Sequence, residues 1–269
     1  MNNPSSVAPS LILAIDFGTQ SCRALAYTAQ GECVAKCQLL VTEYQHPEPE
    51  WTEHDVEGFW TLLTDSCRGL WSRGIAPQDI AAVVVTTQRA SVINLDENGR
   101  PLRPAIIWTD QRRAPLRQRL PWYWRALFGV LRIRSIVDNL EAETEANWLE
   151  QYEPELLART AHYLLLSGYL NYRFTGEFKD SVGSQVGYLP FDFKKQSWCA
   201  DSDWKWHSMA IKRYMLPELS DVGEVLGHVT VDAAEATGVP VGVPVIAGAA
   251  DKACEVLGVG ALEAGVASI

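Results

Sequence analysis

The 269-residue sequence has no Cys-x-x-Cys pair, no His-x-x-x-His or His-Glu-x-x-His pair, no internal repeat and no low-complexity tract. Its six cysteines, Cys22, Cys33, Cys37, Cys67, Cys199 and Cys254, are scattered. Cys33 and Cys37 fall on an expected strand, where their four-residue offset puts both on one face, yet no further Cys or His stands at finger-like spacing. Zinc modules and helix-borne zinc hydrolases are thereby excluded, and buried free thiols are expected. Positive charge is also short: 23 Lys and Arg stand against 33 Asp and Glu, a net charge of −10. Nucleic acid and anionic membranes both need a basic face, so neither is an expected partner. Met1–Ser6 carry no basic segment, and the apolar run behind them is too short for a signal or a membrane span. A cytoplasmic protein is the expectation, with residues 1–9 disordered.

What is present is ample apolar content, 47% hydrophobic against 21% charged, enough to bury a large core. Residues 10–16, 21–29 and 32–41 read as three extended segments, with Gln30-Gly31 as the second turn. Residues 55–73 read as a helix, with Asp55 as N-cap and Phe59, Leu62, Leu63, Cys67 and Leu70 at helical spacing. Ile80–Thr86 is an apolar run of strand length, as in a strand covered on both faces. Val92–Leu95, a turn at Asp96–Gly99 and Ala105–Trp108 predict a hairpin. From about 111 to 175 the pattern is helical, clearest over Glu143–Gln151 and Leu156–Phe174. Residues 180–190 read as short extended structure, 205–215 as helix and Val243–Ala247 as a buried strand. The expectation is an α/β chain whose mixed sheet opens β-β-β-α-β, a single domain with a helical insertion about 111–180.

Three segments carry chemistry. Leu11–Ile15 run into Asp16, Phe17 and Gly18, and Thr19, Gln20 and Ser21 then supply the backbone N–H groups and hydroxyls that can ring a phosphate. Asp16 at the strand end can hold a divalent cation, since hard Mg²⁺ prefers oxygen ligands. Because Cys22–Tyr27 resumes an extended pattern, the motif is strand–turn–strand and not a P-loop. An ordinary Asp-x-Gly hairpin is the competing reading. In the second segment, Ile246-Ala247-Gly248-Ala249-Ala250 empties into Asp251 at a helix start, where simple N-terminal charge complementarity competes with a catalytic role. Two strand-end acids, one beside a phosphate turn, fit phosphoryl transfer: one organises metal and phosphate, the other accepts the proton of an attacking hydroxyl. The third is a polar cluster, Gln88 and Arg89 at one strand end and Trp108, Asp110 and Arg112 after another. Its planar donors and acceptors suit several hydroxyls, and Trp108 offers a flat apolar wall, which together describe a polyol pocket. Taken singly, Asp110 and Arg112 can merely pair with each other and Trp108 can be core.

These residues resemble the FGGY carbohydrate kinases, members of the actin/hexokinase-like ATPases with a ribonuclease H-like fold. Asp16-x-Gly18-Thr19-x-Ser21-x-Arg23 is similar to the family's first phosphate motif. Trp51-x-Glu53-x-Asp55 with Phe59-Trp60, Trp108-x-Asp110-x-Arg112, Arg173–Glu177 with Asp180, and Gly248-x-x-Asp251-x-Ala253 follow in the family's order. The resemblance implies Asp251 as general base, Asp16 as the Mg²⁺-associated acid, and Gly18, Thr19, Gln20, Ser21 and Arg23 as the phosphate loop. It places Gln88, Arg89, Trp108, Asp110 and Arg112 against the sugar or polyol, with ATP and Mg²⁺ as cofactors. Ala90 stands where glycerol kinase has Glu, no Met-His of the xylulokinase kind is present, and Glu145 stands where the family has Lys before Trp148. Family members are about twice this length, so the resemblance implies the sugar-binding half, with an ATP-binding C-terminal domain beyond the apolar Gly265–Ile269. The expected activity is phosphorylation of a pentose, pentitol or related polyol, with this half inactive alone. A non-catalytic sugar-binding or regulatory protein is the alternative, an actin-like scaffold a third, and self-association as a homodimer is left open.

Overall fold

The computed structural model describes residues 10–42, 44–117 and 119–261, so the segment 1–9 expected to be disordered and the tail 265–269 lie outside the described residues. Three strands open the fold: β1 (Leu11–Phe17), β2 (Ser21–Thr28) and β3 (Cys33–Leu40). They form an antiparallel meander in which Asp16 faces Arg23 across the first hairpin. Strand alternation turns Leu13, Ile15 and Phe17 of β1, and Cys22, Ala24 and Ala26 of β2, to one fully buried face. After the two-residue β4 (Glu53–His54), α1 (Val56–Trp71) covers that face with Phe59, Leu63, Cys67 and Leu70. The Asp55 carboxylate caps α1 by accepting the Gly58 N–H at 3.0 Å, as expected. Phe59 packs edge-on against Phe17 with ring centres 5.3 Å apart. The chain then returns as β5 (Ile80–Thr87), parallel to β1.

The hairpin of β6 (Val92–Leu95) and β7 (Ala105–Ile106) forms as expected and leads to α2 (Trp122–Val130), α3 (Arg134–Glu143), α4 (Glu145–Tyr152) and α5 (Pro154–Arg159). The helix expected over Leu156–Phe174 is two helices with a strand between them. α5 ends at Arg159, β8 (His162–Leu165) follows, and α6 (Leu166–Thr175) resumes. Tyr163, Leu164 and Leu165 form an apolar run that suits either period. Antiparallel pairing of β8 with β6 decides for the strand, giving a small sheet in the order β4-β7-β6-β8.

The remainder is β9 (Lys179–Ser181), β10 (Phe191–Asp192), β11 (Ser197–Trp198), α7 (Lys205–Ser208), β12 (Glu218–Ser220), β13 (Val225–His228), α8 (Val231–Thr237), β14 (Pro244–Ile246) and α9 (Asp251–Gly258). Only one helical turn and a 3-10 turn at Arg213–Met215 occupy the segment 205–215 expected to be helical. β14 adds parallel to β5 and completes a mixed sheet in the order β13-β14-β5-β1-β2-β3. The central strands β1, β5 and β14 therefore run side by side and end at one edge, where both acid turns lie. The cysteine expectation needs correction. A bulge at Val34 breaks the alternation of β3, leaving Cys33 exposed and Cys37 buried, and Cys254 is exposed as well. Among the described residues no helix is long and apolar enough to cross a membrane.

Candidate active site

The hairpin after β1 closes with the Gly18 N–H donating to the Ser21 carbonyl at 3.0 Å. Gly18 does not adopt a left-handed conformation, and a Cβ added there would meet only Ser21 O at 3.8 Å. The glycine is thus not demanded by the turn; it leaves open space beside the backbone, where a phosphate oxygen can approach. Arg23 donates to the Asp16 carboxylate at 2.6 Å, and both side chains are partly exposed. Ser21 is buried, with its hydroxyl accepting from Gln38 Nε2 at 3.2 Å, so that hydroxyl is held by the neighbouring strand. Gln20 is exposed.

Thr19 links this hairpin to the next strand end. Its hydroxyl donates to Gln88 Oε1 at 2.7 Å and accepts from Trp108 Nε1 at 2.8 Å, while its carbonyl accepts from the Tyr44 hydroxyl at 2.7 Å. The Gln88 N–H in turn donates to the Phe17 carbonyl at 2.9 Å, tying the ends of β5 and β1 together. Gln88 is buried, and among the described residues its Nε2 has no acceptor. Arg89 next to it is exposed, and Ala90 holds a left-handed backbone with φ 58°, a conformation that costs a non-glycine residue energy.

Asp251 is placed by the loop behind it. A Cβ on Gly248 would lie 2.8 Å from the Val85 carbonyl oxygen, so only glycine lets the loop press onto β5. The Thr86 hydroxyl donates to the Ala249 carbonyl at 2.5 Å, the Ser181 hydroxyl to the Gly248 carbonyl at 2.5 Å, and the Ala250 N–H to the Gly183 carbonyl at 3.0 Å. Ser181 is itself anchored through Asp180, a buried carboxylate that accepts from Ser167, Asn171, Gln185 and the Ser181 N–H. Burial pushes the Asp180 pKa up to about 6 against those four hydrogen bonds. α9 begins at Asp251, whose Oδ1 accepts the Lys252 N–H at 2.7 Å.

A cavity of about 380 Å³ brings Thr19, Gln88, Arg89, Trp108 and Asp251 together. Residues Tyr188, Phe193 and Lys252 also line it. Tyr188 and Phe193 escape the sequence reading because they stand in turns that carry no periodicity, and Lys252 escapes it too, its only signal being its place beside Asp251. Asp16, Gly18, Gln20, Ser21 and Arg23 lie outside that cavity, at the hairpin beside it. Asp110 and Arg112 line a second cavity of about 400 Å³ instead, with Gln111, Arg113, Glu143 and Glu145.

The polar cluster expected as one pocket is therefore divided. Arg112 Nε and Nη2 each donate to Asp110 at 2.8 Å, and Nη2 also reaches Glu53 at 2.8 Å. Asp110 further accepts the Thr52 N–H at 2.6 Å and the Arg112 N–H at 2.9 Å. The guanidinium packs against the edge-to-face pair Trp51 and Trp148, 4.2 and 4.6 Å from the ring centres. Glu145, at the first position of α4, has its pKa pushed up to about 7 by burial.

The chain matches the N-terminal domain of the FGGY family of carbohydrate kinases over residues 11–258, and it belongs to that family. It is 30% identical over 263 residues to a xylulose kinase of Escherichia coli K12, covering 96% of this chain and 52% of that protein. It is 28% identical to a glycerol kinase of Ectopseudomonas mendocina, covering 95% of this chain and 51% of that protein. The crystal structure of xylulose kinase from Rhodospirillum rubrum superposes with a TM-score of 0.76 at 25% identity, covering 93% of this chain and 52% of that one. The fold is thus that of the FGGY sugar kinases, an actin/hexokinase-like ATPase fold. The chain spans about half the length of the curated relatives it matches.

Proposed function

We propose that this chain is the substrate-binding half of a cytoplasmic kinase that transfers a phosphoryl group from ATP to a hydroxyl of a sugar or polyol. The observation that supports it most is the single cavity lined by Asp251, Thr19, Gln88, Arg89 and Trp108, gathered from beyond the ends of four different strands. Asp251 is the general base and accepts the proton of the attacking hydroxyl. Gln88, Arg89 and Trp108 orient the substrate so that one hydroxyl meets that carboxylate, and orientation supplies much of the rate. Asp110 and Arg112 act one step removed, fixing the Trp108 loop through their pair.

The hairpin fits a nucleotide phosphate because the space beside Gly18 is open and Arg23 brings a cation to it. Among the described residues no three metal-ligating side chains cluster, so Asp16 would hold Mg²⁺ as one carboxylate among water and phosphate oxygens, the usual manner for that ion. Mg-ATP, when bound, supplies the transferable phosphoryl group. Thr19, Gln20 and Ser21 would offer their backbone N–H groups to its oxygens, Gly18 would leave them room beside the backbone, and Arg23 would offset their charge.

Titration of residues 1–269 with a sugar panel, with and without Mg-ATP, tests the reading alongside a phosphorylation assay. Sugar binding that Asp251→Asn leaves in place but Gln88→Leu abolishes is expected, with no appreciable turnover from this half alone. Robust phosphorylation by residues 1–269 would refute the inactive-half reading, and absence of sugar binding would refute the site.

A further inference from the structure

The two cavities share three lining residues, Ala90, Trp108 and Tyr188. Two of these are half-exposed aromatics, and the third presents only a methyl group on a left-handed backbone. The chambers therefore meet across a wall of two rings with a small residue at the joint. Each chamber is of small-ligand size, about 380 and 400 Å³, and a pentose fills only part of the first.

The charge of the second chamber narrows what enters it. Arg113 is paired with Glu143 at 2.7 Å and Arg112 with Asp110 at 2.8 Å, which leaves the carboxyls of Glu50 and Glu145 without a basic partner of their own on its walls. An anionic group is disfavoured there, and a neutral hydroxylated group is accommodated.

We propose that the two chambers hold one substrate between them, a sugar or polyol longer than a pentose whose reacting end lies against Asp251 and whose uncharged far end lies beside Glu145. This rests on the sugar-kinase reading above and sharpens it to a size class. Ala90 is then the residue that sets substrate length, since any larger side chain closes the joint.

Calorimetry of residues 1–269 with glycerol, xylitol, sorbitol and maltitol tests it. Affinity is expected to rise by about tenfold or more from xylitol to maltitol, the range that added contacts in a matched pocket supply. Ala90→Leu, at the joint of both chambers, is expected to cost maltitol at least about tenfold more affinity than it costs xylitol, and Glu145→Gln, which touches only the far chamber, to weaken maltitol alone. Thermal unfolding of both variants identifies one that fails to fold, and the other then carries the test. Affinity independent of length, or equal losses for xylitol and maltitol in either folded variant, overturns the proposal alone. Failure of every polyol to bind the unaltered chain overturns it together with the reading beneath it.

Discussion

The two sides of Trp108 are built from the same kinds of residue and end differently. On one side, Thr19, Gln88 and Arg89 border a cavity, with Gln88 Nε2 unpartnered and Arg89 exposed. On the other, Arg112 is drawn inward, bonded to Asp110 and Glu53 and packed against two indoles. A polar residue at a strand end signals a capacity for hydrogen bonding. Whether that capacity is offered to a ligand or spent inside the protein depends on which partners the fold brings within reach.

This contrast can be broken experimentally, and the largest effect is expected at Arg112. Arg112→Ala leaves Asp110 as a buried carboxylate without its cation, while Glu53 keeps Arg103, and should cost about 3–5 kcal/mol in urea unfolding. Retained stability with lost polyol affinity would instead make Arg112 a substrate contact and erase the distinction between the two sides.

Glu145 should show its place on the consumed side through pH. Burial holds its folded-state pKa at about 7, above its ordinary 4.5, so between those values the folded protein keeps a proton that the unfolded chain has released. Stability should therefore fall as pH rises from 4.5 to 7, and Glu145→Gln should remove about 1–2 kcal/mol of that fall. Unfolding curves of both proteins across that range would check it, and parallel profiles would place Glu145 in solvent.

The smallest stability effect belongs to the open side. Trp108→Phe removes only the hydrogen bond from Nε1 to Thr19 and should cost about 1 kcal/mol or less. Its consequence should appear in sugar affinity, so a large loss of stability without loss of binding would make Trp108 structural.

Much of the scaffold was legible in the chain. The alternation of β1 and β2, the Asp55 cap and the apolar run of β5 are local signals, and all three elements stand where they were expected. The strand β8 was not legible, because Tyr163–Leu165 satisfies either period and only pairing with Val92–Leu95 separates them. The opposite fates of Cys33 and Cys37 depend on one bulged residue, which no periodicity announces. Tyr188 and Phe193 reach the cavity from irregular backbone, so their place there is a matter of tertiary path alone.

The sequence by itself determined the two acid turns at Asp16 and Asp251 and the strands that carry them, because strand ends, turns and caps are encoded within a few neighbouring residues. The tertiary structure decided that Asp251 shares a cavity with Gln88 and Trp108 while Arg112 does not. That choice rests on the pairing of Arg112 with Glu53, 59 positions away in the chain, and on its enclosure by Trp51 and Trp148. Burial makes such a charge network all-or-none: once its partners are gathered, the arginine has little left to offer a ligand.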